Sequence, residues 1–255
     1  MRLNKLMAVA AALTLAVPAF AQFSNAGSKS VSSQDLCKSY NRIGVSYTNT
    51  GYTGHKYDFM EDENHLYLNG FAVEYIHGFS VSKSLPMFVE TGVKANFGFG
   101  SLEGKEDEEY SISITPKLQV QDIYLAVPVN YAYKFGIGDN CAITPYLGLN
   151  FKLHLMSRMR TKIELDGADP DDLNLDDDDL TGDWVNLYSD DEDDGMGDKD
   201  YTWNRFQLGW HIGVGFNYRH LYVGVNYGTD FINAFKYKKS SVSSGNLGIT
   251  LGYTF

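Results

Sequence analysis

At 255 residues, 44% hydrophobic and 21% charged, the chain has room for one or two domains and carries a net charge of −11. That acidity is local: residues 164–200 hold 17 Asp and Glu against one Lys, which leaves +5 on the remainder. No basic run with interleaved aromatics exists, which excludes nucleic acid as a partner, and beyond residue 21 nothing approaches the ~18 consecutive apolar residues of a helical membrane span.

In chain order, Arg2 and Lys5 precede the most apolar run of the sequence, residues 6–18, and Ala19-Phe20-Ala21 follows. This is the layout of a secretory signal peptide, so residues 1–21 are expected to be removed and the mature chain to start at Gln22. Gln rather than Cys at that point argues against a lipoprotein. Residues 22–40 are rich in Ser, Asn and Lys without periodicity and read as a flexible periplasmic lead. The first strand is predicted near 41–51, with Ile43, Val45 and Tyr47 opposite Gly44, Ser46 and Thr48. A polar loop over 52–65 leads to a second strand near 66–81 and, after a short turn at Ser82–Pro86, a third near 87–100. An acidic loop at 101–109 follows.

The fourth strand is clean only in its second half, where Ile123, Leu125, Val127, Val129 and Tyr131 alternate with Tyr124, Ala126, Pro128 and Asn130. Leu118 and Val120 have the opposite parity, which predicts a bulge or emergence from the membrane above Gln121. Pro128 lacks a ladder donor and requires a bulge or a local gap. After a turn at 136–141, the fifth strand is predicted near 142–158, and a long acidic loop occupies 159–202. Three alternating segments end the chain, carrying Phe206 to Tyr218, Leu221 to Tyr227, and Leu247 to Phe255 on their bulky faces. The sixth connection is a tight reversal at Arg219-His220.

Every one of these segments has a bulky apolar face and a small, polar or glycine face. A soluble eight-stranded barrel buries its bulky face inward, but here that face is too aliphatic and aromatic to be solvated. The reading is an all-β fold: a closed eight-stranded antiparallel transmembrane β-barrel spanning 41–255, with a polar interior and an apolar exterior. Connections one, three, five and seven are long and two, four and six short. That assigns the long ones to the cell exterior and both termini to the periplasm, with the protein integral to the outer membrane.

The runs IYLAVPVNYAYKFGIG, TPYLGLNFKL, LGWHIGVGFNYRHLYVGVNYGTDFIN and NLGITLGYTF resemble the outer-membrane β-barrel domain common in Bacteroidetes, the PorT-like and OmpX-like small barrels. The similarity covers roughly residues 40–255 apart from the acidic insertion. It implies a fold and a location, and carries no catalytic or ligand residues.

Three sets of side chains invite chemistry. The interior face presents Glu74, Glu90, Lys94, Lys134, Lys152, His154, Arg205, His211 and Arg219, with Glu74, Glu90, Lys94, Lys152, Arg205 and Arg219 as the expected charge network filling a narrow lumen. The acidic loop places Asp190, Glu192 and Asp194 at positions 1, 3 and 5 of a calcium-loop-like run with Gly195 at 6 and Asp198 at 9. Tyr201 stands where that loop requires Glu, so loose Ca2+ or Mg2+ collection is expected rather than a defined site, and no cofactor. Cys37 and Cys141 fall on the same side by loop count and are candidates for a disulfide. The six His are scattered, and no nucleophile motif accompanies them, so the expectation is a non-enzymatic protein. Its acidic surface loop is expected to serve interaction, cation binding or envelope integrity, with lipopolysaccharide and an envelope protein as partners. Alternatives are an accessory component of an outer-membrane secretion or transport system and a narrow porin-like channel.

Overall fold

A computed structural model describes residues 35–55, 66–103, 107–109, 112–137, 140–166, 180–188, 201–237 and 240–255. Eight long strands dominate it: β1 (Tyr40–His55), β2 (Leu66–Ser80), β3 (Met87–Glu103), β4 (Ile112–Tyr133), β5 (Cys141–Asp166), β6 (Phe206–Tyr218), β7 (Leu221–Asp230) and β8 (Ser240–Thr254). Each pairs antiparallel with its sequence neighbours, and β8 returns to β1 from Arg42↔Thr254 to His55↔Ser241. The seam is completed at the chain end, where Asn41 N–H donates to Phe255 O at 2.8 Å and Phe255 N–H to Asn41 O at 2.9 Å. The sheet is therefore a ring without a free edge, the form in which a sheet satisfies its own backbone groups in a lipid solvent.

The faces sort as the alternation predicts. Val45, Phe71, Val93, Val127, Leu149, Val214, Val225 and Leu251, one from each strand, point outward and are 41–57% exposed. Ser46, Ala72, Lys94, Ala126, Lys152, Gln207, Tyr222 and Thr250, again one per strand, point inward and are 0–9% exposed. So continuous an apolar outer wall is stable only against hydrocarbon. Among the described residues no helix is long and apolar enough to cross a membrane, so the strands do the crossing.

The strands run further than their hydrophobic pattern. β1 continues to His55, β8 begins at Ser240, and residues 159–166 and 201–203 are strand rather than loop. The physical reason is that alternation records a boundary between lipid and lumen. Above the hydrocarbon both faces are wet, so pairing continues while the apolar signal stops. β4 and β5, at 22 and 26 residues, rise well beyond the roughly 9–11 needed to span the core and form the tall side of the wall. Short strands extend this rim: Asp107–Glu109 on β4, Val185–Asn186 on β5, and Tyr201–Trp203 beside Phe235–Tyr237, which pairs β8.

Of the irregularities expected in the fourth strand, the bulge lies on its partner, while the polar outer face above Gln121 and the gap at Pro128 are where they were expected. β4 keeps one register of faces from Val120 to Ala132, all even positions buried. The bulge lies on β5, where Ile123 pairs Met156 but Tyr124 pairs His154, leaving Leu155 extra. Pro128 produces the local gap: the β3–β4 ladder is broken between Thr91↔Val129 and Lys94↔Ala126, with its register unchanged.

At the opposite end, residues expected to be a loose lead are ordered close to the barrel. Asp35–Cys37 form one turn of 3-10 helix, Leu36 Cδ1 lies 2.7 Å from where a Gly136 Cβ would stand, and Tyr40 is already in β1. The β6–β7 reversal holds Arg219 at φ 54°, a left-handed conformation that costs a non-glycine residue about 1 kcal/mol or more. Arg219→Gly is expected to raise stability by about 0.5–1 kcal/mol, read as a higher urea midpoint of the folded barrel in detergent.

Candidate functional site

The turn end of the lumen is closed by aromatics. Tyr40, Phe88, Ala132 and Tyr146 form a buried cluster, with the Tyr40 and Phe88 rings edge-to-face at 5.1 Å. Lys134 lies over both, its Nζ 3.9 Å from the Tyr40 ring and 4.9 Å from the Phe88 ring. The glycine-rich inner faces of β6 and β7 exist to admit the neighbouring tyrosines. A Cβ at Gly213 would stand 2.4 Å from Tyr146 Cζ, and one at Gly215 would stand 2.3 Å from Tyr222 Cε2.

Above this plug Glu90, fully buried, is the hub of a charged cluster. It accepts hydrogen bonds from the Tyr40 hydroxyl and from Asn130 Nδ2 at 3.1 Å, and Arg42 Nη1 donates to it at 3.3 Å. Arg42 also lies 3.6 Å from Glu74 and stacks 3.9 Å above the Tyr222 ring. Because Asn130 donates to Glu90 through its amide nitrogen, its Oδ1 is the acceptor for His211 Nε2 at 2.6 Å, which places the proton on that nitrogen. Lys94 sits directly across the ladder from Glu74.

Nearer the loop end, Lys152 Nζ meets Asp230 Oδ2 at 2.8 Å, and the Ser244 hydroxyl donates to the same carboxylate. His154 Nδ1 is 2.8 Å from Asp122 Oδ1, and the Tyr124 ring lies 5.1 Å from the imidazole. Among the described residues the carboxylates Glu74, Glu90, Asp122 and Asp230 thus share the lumen with the cations Arg42, Lys94 and Lys152, and Lys134 stands at its turn end. Pairing of this kind is the condition for keeping charges out of water. The space between the two clusters is a cavity of about 50 Å³, lined by Arg42, Glu74, Lys94, Asn130, Lys152 and Asp230 among others. That is room for a few waters and well below the roughly 300 Å³ or more of a typical ligand pocket.

Of the charge network read from the sequence, Glu74, Glu90, Lys94 and Lys152 are in the lumen. Arg205 is not, and Arg219 lies at the turn end, half-buried. Arg205 is exposed at the loop end, donating to Tyr188 O at 3.1 Å, and Arg219 occupies the tight reversal with its guanidinium 5.6 Å from the Tyr218 ring. Both sit at strand termini, where alternation no longer says which way a side chain points. The same weakness hid Arg42, Asp122 and Asp230, each at or beyond the end of a clean alternating run. The His154–Asp122 pair, formed across β4 and β5, was also missed because its members are 32 residues apart. It holds a base and its orienting carboxylate, and Ser157 lies across the ladder from Asp122, yet His154 Nε2 has no hydrogen-bond partner among the described residues. A nucleophile bonded to that nitrogen, which acyl chemistry requires, is not in place.

Cys37 and Cys141 are half-buried, and this structure holds no bond between them. Both are at the turn end, where Leu36 of the lead packs against Gly136 of the Phe135–Ile137 strand. Asp190, Glu192, Asp194 and Asp198 lie outside the described residues.

No curated protein matches the chain. Among solved structures it is similar to the attachment invasion locus protein Ail of Yersinia pestis, crystallised with the heparin analogue sucrose octasulfate, at 14% identity over 85% of this chain and 97% of that one, TM-score 0.33. It is similar to Neisserial surface protein A at 12% identity over 84% and 97%, TM-score 0.36, and to OprG of Pseudomonas aeruginosa at 10% over 85% and 96%, TM-score 0.37. The outer membrane protein beta-barrel domain matches residues 7–255. With a closed ring of eight strands, a lipid-facing exterior and that match over nearly its whole length, the chain belongs to the outer-membrane β-barrel domain family and is an integral outer-membrane protein.

Proposed function

We propose that this is a non-enzymatic barrel whose lumen is structural and whose work is done at the rim, by the tall β4–β5 wall and the acidic connection between β5 and β6. The observation that carries this reading is the filled lumen: paired charges above an aromatic plug, with about 50 Å³ between them, leave neither a conduit nor a substrate pocket. The long connections face the cell exterior and both termini the periplasm, as the asymmetry of turn and loop lengths implies. Residues 1–21 act as the export signal. The acidic connection, −16 over residues 164–200, collects Ca2+ or Mg2+ loosely, with Asp190, Glu192, Asp194 and Asp198 among the ligands, and serves surface interaction or envelope integrity.

Two measurements test it. In planar bilayers the purified protein is expected to show no steady conductance, and a stable open level would overturn the filled-lumen reading. Replacing residues 189–200 by a short Gly-Ser linker is expected to leave the barrel folded, abolish most calcium uptake at millimolar calcium, and raise the sensitivity of cells to detergent. Undiminished calcium uptake with unchanged detergent sensitivity would remove the loop from the function.

A further inference from the structure

The outward face of β4 and β5 changes character at one level. Going up the pair, Val127 faces Phe151, Leu125 faces Leu153 and Ile123 faces Met156, all apolar and directed at lipid. The next three outward rungs are Gln121↔Arg158, Gln119↔Arg160 and Lys117↔Lys162. The β5 bulge at Leu155 makes this alignment, since it shifts the parity of β5 so that Arg158, Arg160 and Lys162 share the outer face instead of turning into the lumen.

The arginines are held rather than free. Arg158 Nε donates to Gln121 Oε1 at 2.9 Å and Arg160 Nε to Gln119 Oε1 at 2.8 Å. Trp184, one residue before the Val185–Asn186 strand that pairs β5, lies on the same face, with the Arg158 and Arg160 guanidinium carbons 4.6 and 4.7 Å from its ring. Each guanidinium thus has its Nε committed and its plane oriented, while among the described residues its terminal N–H groups have no hydrogen-bond acceptor and can meet a ligand. Among the described residues the ion pairs of the ladder involve only the lysines: Glu164 accepts from Lys117 at 2.6 Å and lies 3.8 Å from Lys162, and the Lys117 hydrogen bond holds its carboxyl below the usual range. The two arginines nearest the apolar band have no carboxylate partner there. Phe99, 47% exposed on β3 and paired with Gln121, marks the same level as the interfacial aromatics.

We infer that Arg158, Arg160, Lys117 and Lys162, with Trp184, form a docking surface for a phosphorylated glycolipid of the outer leaflet. Its acyl chains lie on the Ile123–Leu125–Leu153 wall and its phosphates face the arginines one and two rungs above. The chemistry recognised is a phosphate fixed at the height where hydrocarbon ends. Arginine is suited to it because its planar fork bonds two phosphate oxygens at once. A free phosphate lacks the anchoring chains, so the surface discriminates by position as well as charge. This goes beyond the rim function proposed above; Trp184 belongs to the acidic connection, but residues 189–200, removed in the calcium test, take no part in the surface.

The test is native mass spectrometry of the detergent-solubilised full chain with bis-phosphorylated lipid A, dephosphorylated lipid A, or inorganic phosphate. Wild type is expected to retain one lipid A. The Arg158→Gln/Arg160→Gln double variant is expected to retain at least tenfold less, as is wild type offered the dephosphorylated lipid, and inorganic phosphate is expected not to bind stably. Lys83→Gln, in the β2–β3 turn at the other end, is expected to match wild type. Heat-modifiable migration on gels shows each variant to be folded. Equal retention by the double variant, or equal binding of the dephosphorylated lipid, would overturn the inference while leaving the calcium and conductance results unaffected.

Discussion

Replacing Glu90 by alanine is expected to destabilise the barrel by about 3–5 kcal/mol, the cost typical of removing one partner from a buried ion pair. Glu90 is wholly buried and its carboxylate is the acceptor for Tyr40, Arg42 and Asn130 together. Without it, Arg42 retains the longer contact to Glu74 at 3.6 Å and its stacking on Tyr222, in a place where water cannot compensate the lost carboxylate. Asn130 then loses its acceptor, and the His211 bond that depends on its orientation loosens with it. Glu90→Gln keeps the acceptor oxygen and removes the charge, so a smaller loss of about 1–3 kcal/mol is expected. Removing both charges with Arg42→Met and Glu90→Leu should recover part of the Glu90→Ala loss, because burying a pair is often no better than an apolar filling of the same volume. Equilibrium urea unfolding in lipid vesicles reads all three. A Glu90→Ala loss below about 1 kcal/mol would mean that water reaches the cluster and that the lumen is not the closed structure described.

The second large effect is on the outer wall. Leu149→Arg is expected to cost about 2–4 kcal/mol, while Tyr253→Arg, close to the turn end, is expected to cost about 0–1 kcal/mol. Leu149 points outward near the middle of the apolar stretch of β5, between Leu147 and Leu153, and pairs Val129 on the adjacent strand, itself outward and exposed. A guanidinium there has to be dehydrated or draw water into the hydrocarbon. Tyr253, on β8 opposite Leu221, sits where a long side chain reaches the interface. The contrast tests what alternation alone implies, that the exposed face meets lipid. If both substitutions cost the same, in unfolding measurements made in bilayers, the apolar wall is not at the depth assigned to it.

The parts of the structure that were legible beforehand share one physical property. Between Ile43 and Tyr47, Phe71 and Phe79, Ile123 and Tyr131, or Leu247 and Phe255, each residue lies between two solvents of opposite character, so side-chain chemistry records orientation directly. In those stretches the inward and outward assignments hold at the positions named, and Glu74, Glu90, Lys94 and Lys152, assigned inward by parity, are buried. Where one of the two solvents is missing the record fails. Ser243 and Ser244 are strand with a polar residue on each face, and Arg205 and Arg219 sit at strand ends with no opposed environments to separate them.

The site was less legible than the fold because its contacts are made across strands. Glu90 meets Arg42 over 48 residues of sequence and Asn130 over 40. The cationic ladder on β4 and β5 needs the two strands to pair in one register and the bulge at Leu155 to turn Arg158 and Arg160 outward. A run of residues such as Ser157-Arg158-Met159-Arg160 reads as mixed polarity until the register is known, and Lys117 belongs to it only through pairing.

By itself the sequence determined the ring of strands, the solvent on each of its two faces and therefore the membrane in which it resides, because a period-two pattern of bulky and small residues has a stable solution only as a closed sheet in lipid. It also determined that most of the negative charge is confined to one connection. Tertiary structure decided the rest: which buried charges become partners, that Tyr40, Phe88 and Tyr146 cluster at the turn end of the lumen, and that one extra residue in β5 aligns arginines above the hydrocarbon. Pattern is a local property of a strand in its solvent. Pairing depends on register around the ring, and no single strand contains it.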